Sequence, residues 1–269
     1  MKLAHKLMVK PGGRVRLRDY DPDATPGIDD KDQGKQALAR NVEKLAHLQY
    51  RLYAENRRSV LIIFQAMDAG GKDGVIRHVM SGLNPQGCRV IAFKAPNTEE
   101  LARDFLWRIH HVVPRRGQIG IFNRSHYEDV LAVRVKKLAP KSVWSRRFDH
   151  INDFERLLAD NGTRILKFFL HISRDEQLAR LRKRLEDPRK HWKFDPADLE
   201  DRKRWDDYAA AYEEAIRRCC TSDAPWYVIP ANHKWYRNAA VSQILVETLG
   251  EMRMKFPKPA FDVSKIVLE

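Results

Sequence analysis

A chain of 269 residues can bury a full core yet stands near the size at which one hydrophobic core stops growing, so one domain with an appendage is expected. With 43% apolar and 32% charged residues, extensive disorder is excluded, and no apolar run approaches the roughly 18–20 residues needed to cross a bilayer. The formal net charge of +14 favours polyanionic partners such as nucleotides, polyphosphate or nucleic acid, without choosing among them.

The segment Met1–Lys10 carries lysines at positions 2, 6 and 10 and no continuous apolar stretch, so it does not read as a secretion signal, and a cytoplasmic location is expected. Residues 1–33 mix Lys10-Pro11-Gly12-Gly13 with the acidic, proline-containing stretch Asp19–Asp30, a pattern of turns that predicts an extended arm. Residues 34–269 then form a single domain. Leu38, Val42, Leu45 and Leu52 recur at helical spacing through about Arg57. Ser59–Ala66 is a short apolar, β-branched run of the kind buried on both faces of a sheet. Further strand-like runs follow at Arg89–Lys94, Gln118–Phe122, Arg164–Ile172 and Trp226–Ile229. Between them lie helical patterns, among them Thr98–His111 with Asn97 as cap and Glu100 three residues on. The alternation predicts an α/β fold with a mostly parallel sheet flanked by helices and ligands at the carboxyl ends of its strands. Cys88, Cys219 and Cys220 have no metal-ligand spacing and read as reduced, structural thiols.

The first strand runs into Met67-Asp68-Ala69-Gly70-Gly71-Lys72-Asp73-Gly74, followed by a helix from about Val75 to Met80. Glycines that let backbone N–H groups face an anion, a helix start and a mobile lysine together make a phosphate loop, which assigns Ala69, Gly70, Gly71, Lys72 and Asp73 to phosphate binding. It departs from the common pattern, since Ala66 stands at the first glycine and Asp73 at the magnesium-binding hydroxyl. Asp68, a carboxylate inside an anion cradle, implies an intervening cation such as Mg2+, with Mn2+ as a substitute; its bland alternative is a turn cap. The third strand breaks into Asn123-Arg124-Ser125-His126-Tyr127-Glu128-Asp129, where Arg124 can neutralise a transferred phosphoryl group and Glu128 and Asp129 can hold metal or orient an acceptor. Within Arg180–Lys193 there are seven basic residues against two acidic ones, and Arg180 and Arg184 share a helix face, which reads either as a lid over phosphates or as a solvated charged helix. Trp192, Trp226 and Trp235 could stack on a base but belong more naturally to core or interface.

With these residues in place, the whole chain resembles the second family of polyphosphate kinases. The likeness runs from Val9-Lys10-Pro11 through Asp68–Gly74, Ser81–Gly87 and Phe122–Ser125 to Lys190-His191-Trp192-Lys193-Phe194 and Lys234-Trp235-Tyr236-Arg237. The resemblance implies a P-loop kinase fold with a helical lid at about 174–204 and magnesium-dependent transfer between inorganic polyphosphate and nucleotides. It implies that Asp68 and Lys72 serve phosphate and metal, that Arg124 and Asp129 lie at the transfer centre with Asp129 a second metal ligand, and that Arg180 and Arg184 belong to the lid. A homo-oligomer, dimer or tetramer, is implied as well. Members specialised for nucleoside diphosphates carry Asp-Arg-Ser-Trp-Tyr-Asn in the second motif. Asn123 and the pair Glu128-Asp129 depart from that and resemble the subgroup accepting monophosphates too, which makes Asn123 and Glu128 acceptor residues. The competing expectations are an ATP-dependent kinase resembling thymidylate kinase and a nucleic-acid-binding P-loop protein, the latter lacking a recognisable nucleic-acid module.

Overall fold

Five short apolar runs form one parallel sheet: β1 (Ser59–Gln65), β2 (Cys88–Ala92), β3 (Ile119–Asn123), β4 (Thr163–His171) and β5 (Trp226–Pro230), in the spatial order β2-β3-β1-β4-β5. The computed structural model describes residues 2–266. β1 is central and buried throughout, which is why its sequence shows no polar alternation. Its side chains divide between two cores: Val60, Ile62 and Phe64 pack on one face, Leu61 and Ile63 on the other.

The first face is covered by helices α1 (Lys31–Glu55), α2 (Lys72–Val79) and α7 (Lys234–Glu251); the second carries α3 (Arg147–Asp160) and α6 (Trp205–Cys219). Asp30 caps α1 by accepting from Asp32 N and Gln33 N, both at 2.8 Å. α1 approaches α7 closely because Gly34 has no side chain: a Cβ there would lie 2.5 Å from the Trp235 ring. The segment expected as a lid comprises α4 (Arg174–Glu186), a 3-10 turn at Pro188–Lys193 and α5 (Ala197–Lys203). Trp226 is core and Trp235 lies against α1, whereas Trp192 in the lid is 78% exposed.

Two expectations are corrected. Thr98–His111 is two single turns, Thr98–Leu101 and Trp107–His110, because Asp104 captures Leu106 N at 2.9 Å and offers the backbone a turn instead of a continuing helix. The Asn97–Glu100 capping box does form. Nor is the N-terminal segment, expected as an extended arm of turns, without packed structure: Leu3–Leu7 is helical, Leu3, Leu7, Val9, Val15, Leu17 and Ile28 are buried, and Met8 forms an antiparallel bridge to Tyr227 on the edge strand. Turn-rich composition concealed isolated apolar anchors at irregular spacing, and the bridge covers a sheet edge that would otherwise be open. The three cysteines are free thiols.

Candidate active site

The phosphate loop joins β1 to α2, and its shape is set by what holds its carbonyls. Tyr212 Oη and Lys72 Nζ donate to Ala66 O at 3.0 and 3.2 Å, Gln177 Nε2 to Asp68 O at 3.0 Å, and Arg180 Nη1 to Ala69 O and Gly70 O at 3.1 and 3.0 Å. With the carbonyls drawn outward, the N–H groups of Ala69, Gly71, Lys72 and Asp73 have no protein acceptor among the described residues, the arrangement of an anion nest at a helix start. Two loop residues take left-handed backbone: Gly71 (φ 99°) and, less comfortably, Ala69 (φ 59°). A Cβ on Gly71 would also lie 2.0 Å from Arg237 Nη1.

Arg237 is buried, donates to Asn238 Oδ1 at 2.9 and 3.1 Å, and pairs with no carboxylate among the described residues. Burial, and the nearby Arg180, lower it to about 9. Lys72 is also buried, and burial together with the Arg124 charge lowers its pKa despite the neighbouring acids. Arg237, buried beside Gly71 with no carboxylate partner among the described residues, is a cation that an anion in the loop would stabilise. The Lys234–Arg237 motif was visible in the sequence, but the role of Arg237 beside Gly71 was not.

The second half of the site comes from the end of β3. Asn123 is the last residue paired with β1, and Arg124, in left-handed backbone (φ 63°), turns the chain out of the sheet. Arg124 Nη2 then reaches Asp68 Oδ1 at 2.9 Å, while Asn123 Nδ2 donates to Asp73 Oδ1 at 2.7 Å, so the two motifs meet. The two adjacent acids separate. Glu128 faces the pocket formed by Asp68, Arg124, Lys136, Asp201, Tyr208 and Tyr212, and its Oε1 accepts from Gln65 Nε2 at 3.0 Å. Asp129 is instead held by Arg147 at 3.1 Å and approached by Arg108 at 4.0 Å; burial pushes it up to about 6 against their pull. Asp68 and Glu128 therefore line one pocket, and Asp129 does not.

Behind the turn lies a buried hub that the sequence did not reveal. Lys167, in the middle of β4, donates to Tyr127 Oη at 2.8 Å, Glu155 Oε2 at 2.5 Å and Cys219 O at 2.6 Å. Glu155 Oε1 accepts from Tyr127 Oη at 2.9 Å and lies 3.3 Å from His126 Nε2. These contacts pin His126 and Tyr127, the two residues between Arg124-Ser125 and Glu128.

The lid arginines differ from one another and from expectation. Arg180 is buried, with Glu176 at 2.7 Å and, besides the loop carbonyls, Ala231 O at 2.6 Å and Asn232 O at 3.2 Å. It braces the phosphate loop from behind rather than lying on an exposed helix. Arg184, partly exposed, donates to Lys193 O and Asp198 Oδ2, both at 3.0 Å, and so ties α4 to the rest of the lid. Burial, then the Asp68 charge, raise Asp198 to about 6.

For a divalent cation, the fit is to a site completed by substrate. Among the described residues no three His, Cys, Asp or Glu side chains are grouped as a metal cage. Asp68 and Glu128 on one pocket suit magnesium, which keeps waters and phosphate oxygens in its shell and needs one or two carboxylates.

Comparison with known proteins decides the family. The family model described as polyphosphate kinase 2 matches residues 28–257. This chain belongs to the polyphosphate kinase 2 family. It is 57% identical over 265 residues to an AMP/ADP-polyphosphate phosphotransferase of Meiothermus ruber, covering 98% of this chain and 99% of that one. It is 47% identical over 271 residues to an ADP-polyphosphate phosphotransferase of Rhodopseudomonas palustris, with 96% and 94% covered. The crystal structure of polyphosphate kinase 2 from Arthrobacter aurescens TC1 superposes with a TM-score of 0.94 at 46% identity, covering 98% of this chain and 94% of that one. The match accounts for the parallel five-stranded sheet flanked by helices, and no described helix is long and apolar enough to cross a membrane.

Proposed function

We propose that this polyphosphate kinase 2 transfers phosphoryl groups reversibly between inorganic polyphosphate and nucleotides, taking AMP to ADP and ADP to ATP with Mg2+. The observation that carries the reading is the meeting of two motifs at one pocket: the Asp68–Lys72 loop on one side, Arg124 and Glu128 on the other, with Asp68 and Arg124 2.9 Å apart. The loop N–H groups and Lys72 bind and neutralise a phosphate chain. Arg124 can leave Asp68 for the transferred group, where a fixed positive charge counters charge building up on the equatorial oxygens. Asp68 and Glu128 would hold magnesium, or manganese in its place, and the ion would supply charge neutralisation between donor and acceptor phosphates.

Glu128 also bears on the acceptor. AMP ends one phosphoryl unit nearer the nucleoside than ADP, and misplacement of about 1 Å can cost roughly a hundredfold in rate. A carboxylate acting through a cation or a bridging water can steady the shorter acceptor, while the Asn123 amide is engaged by Asp73. The buried cations Lys72 and Arg237, neither in a salt bridge among the described residues, favour a long polyanionic donor. An oligomer in the cytoplasm is the setting that accompanies this reading.

The test is direct. Purified protein with magnesium, polyphosphate and AMP should yield ADP and then ATP; with chelator in excess it should yield neither. Turnover with ATP but none with polyphosphate as donor would make the chain an ATP-dependent nucleotide kinase and overturn the proposal.

A further inference from the structure

Gln65, the last residue of β1, is fully buried, and its amide donates to Glu128 Oε1 at 3.0 Å. Its other terminal atom, Oε1, is sealed from solvent and has no donor among the described residues. A buried polar atom left in this way costs stability, because it gives up its hydrogen bond to water and gains none in return. Reversing the amide would set its oxygen against the Glu128 carboxylate, so Glu128 dictates the orientation, and the orphan atom is the consequence. The fold tolerates that penalty at a strand end that is otherwise apolar.

What Gln65 offers Glu128 becomes clear from the residue next door. Asp129 is held by two arginines, which engage its charge. Glu128 receives a neutral donor, so one oxygen is fixed while the negative charge stays available in the pocket that Asp68 and Arg124 share. Register explains the meeting. β1 and β3 stop pairing at Phe64 and Asn123, Arg124 N still donates to Phe64 O at 3.0 Å, and the left-handed Arg124 folds the chain back so that Glu128 comes within reach of the next residue of β1.

We propose that Gln65 is a positioning residue that sets acceptor choice: by fixing one oxygen of Glu128 without neutralising it, Gln65 keeps the other aimed into the pocket, where it steadies a nucleoside monophosphate through a bridging water, one that a cation held there could also bind. The proposal rests on the reading of Glu128 as an acceptor residue. Gln65 lies outside the loop and turn motifs, and its amide touches Glu128, not the reacting groups.

A double-mutant cycle tests it, with kcat and KM for AMP and for ADP and calorimetric AMP binding in the absence of donor measured on wild type, Gln65→Met, Glu128→Gln and the double variant. Gln65→Met should lower kcat/KM for AMP about tenfold, the worth of one hydrogen bond to a charged group, and weaken AMP binding, while ADP changes by less than about threefold. In the Glu128→Gln background the same change should do nothing further to the AMP-to-ADP ratio. Gln65→Glu, nearly isosteric, sets two carboxylates against each other and should depress AMP use more strongly; it makes the same comparison if the methionine variant does not fold. Equal losses on both acceptors, or effects that multiply in the double variant, would overturn the proposal while Glu128 kept its role. A Glu128→Gln variant that treats AMP and ADP alike would remove the role of Glu128 itself, and the proposal with it.

Discussion

Lys72 is buried with a lowered pKa because burial and the Arg124 charge both disfavour its charged form, and a bound phosphate chain reverses that balance. In the alkaline window between its lowered pKa and that of an unfolded lysine, the unfolded chain binds more protons than the folded one, so this residue makes stability rise with pH there. Polyphosphate binding in the same window should take up a proton, measurable as different calorimetric heats in two buffers of unlike ionisation enthalpy. Lys72→Met should abolish that uptake and lower transfer at least tenfold, one charge-assisted hydrogen bond being worth about 1.5–3 kcal/mol, while leaving the melting temperature unchanged or higher. Arg180 should behave oppositely. Its guanidinium serves four carbonyl groups and Glu176, so Arg180→Ala should destabilise the fold by at least about 3 kcal/mol, read by chemical denaturation. Arg184→Ala, touching only lid groups, should spare stability and lower turnover on polyphosphate.

The turn after β3 is precise because a buried ionic hub stands behind it. Removing one member of such a hub strands a charge in the core: Lys167→Met should cost about 3–5 kcal/mol, and Glu155→Leu added to it should recover much of that, since a matched apolar pair avoids the desolvation of both ions. Denaturant unfolding of the single and double variants decides it; a double variant no better than the single would show that the hub acts through geometry, by orienting Tyr127 and His126. At the phosphate loop the restriction is steric. Gly71→Ala combines an unfavourable φ of 99° with a Cβ 2.0 Å from Arg237, so it should displace the buried arginine and abolish donor binding even where the sheet remains folded.

Across the whole molecule the N-terminal segment is part of the domain. Deleting residues 1–30 would expose the partners of Leu3, Leu7, Val9, Val15, Leu17 and Ile28, each burial being worth roughly 1.5–3 kcal/mol, and would reopen the β5 edge. The truncated chain should melt far lower and aggregate, as a thermal scan with light scattering would show. A net charge of +14 also predicts that KM for polyphosphate rises with added salt more steeply than KM for AMP, because the longer polyanion meets more of the screened field.

Sequence alone determined those features whose physics is local. Apolar runs of strand length alternating with helical spacing specify a parallel sheet, and β1 to β5 lie where such runs occur. Gly70, Gly71 and Lys72 between strand and helix specify an anion cradle, and the motif from Asn123 to Asp129 marks the carboxyl end of a strand. What only the tertiary structure decided depends on contacts between residues far apart in the chain. Arg180 looks like a solvated lid residue by spacing and becomes a brace because the carbonyls of Ala69, Gly70, Ala231 and Asn232 converge on it. Glu128 and Asp129 are equivalent as letters and diverge because Gln65 waits for one and Arg147 for the other. Lys167 is an anomaly in an apolar strand until Glu155 and Tyr127 arrive from elsewhere. Composition and periodicity carry backbone preference and face. Which buried charge meets which partner is settled only when the sheet brings strand ends together, because the penalty for burying a charge depends entirely on the groups that surround it.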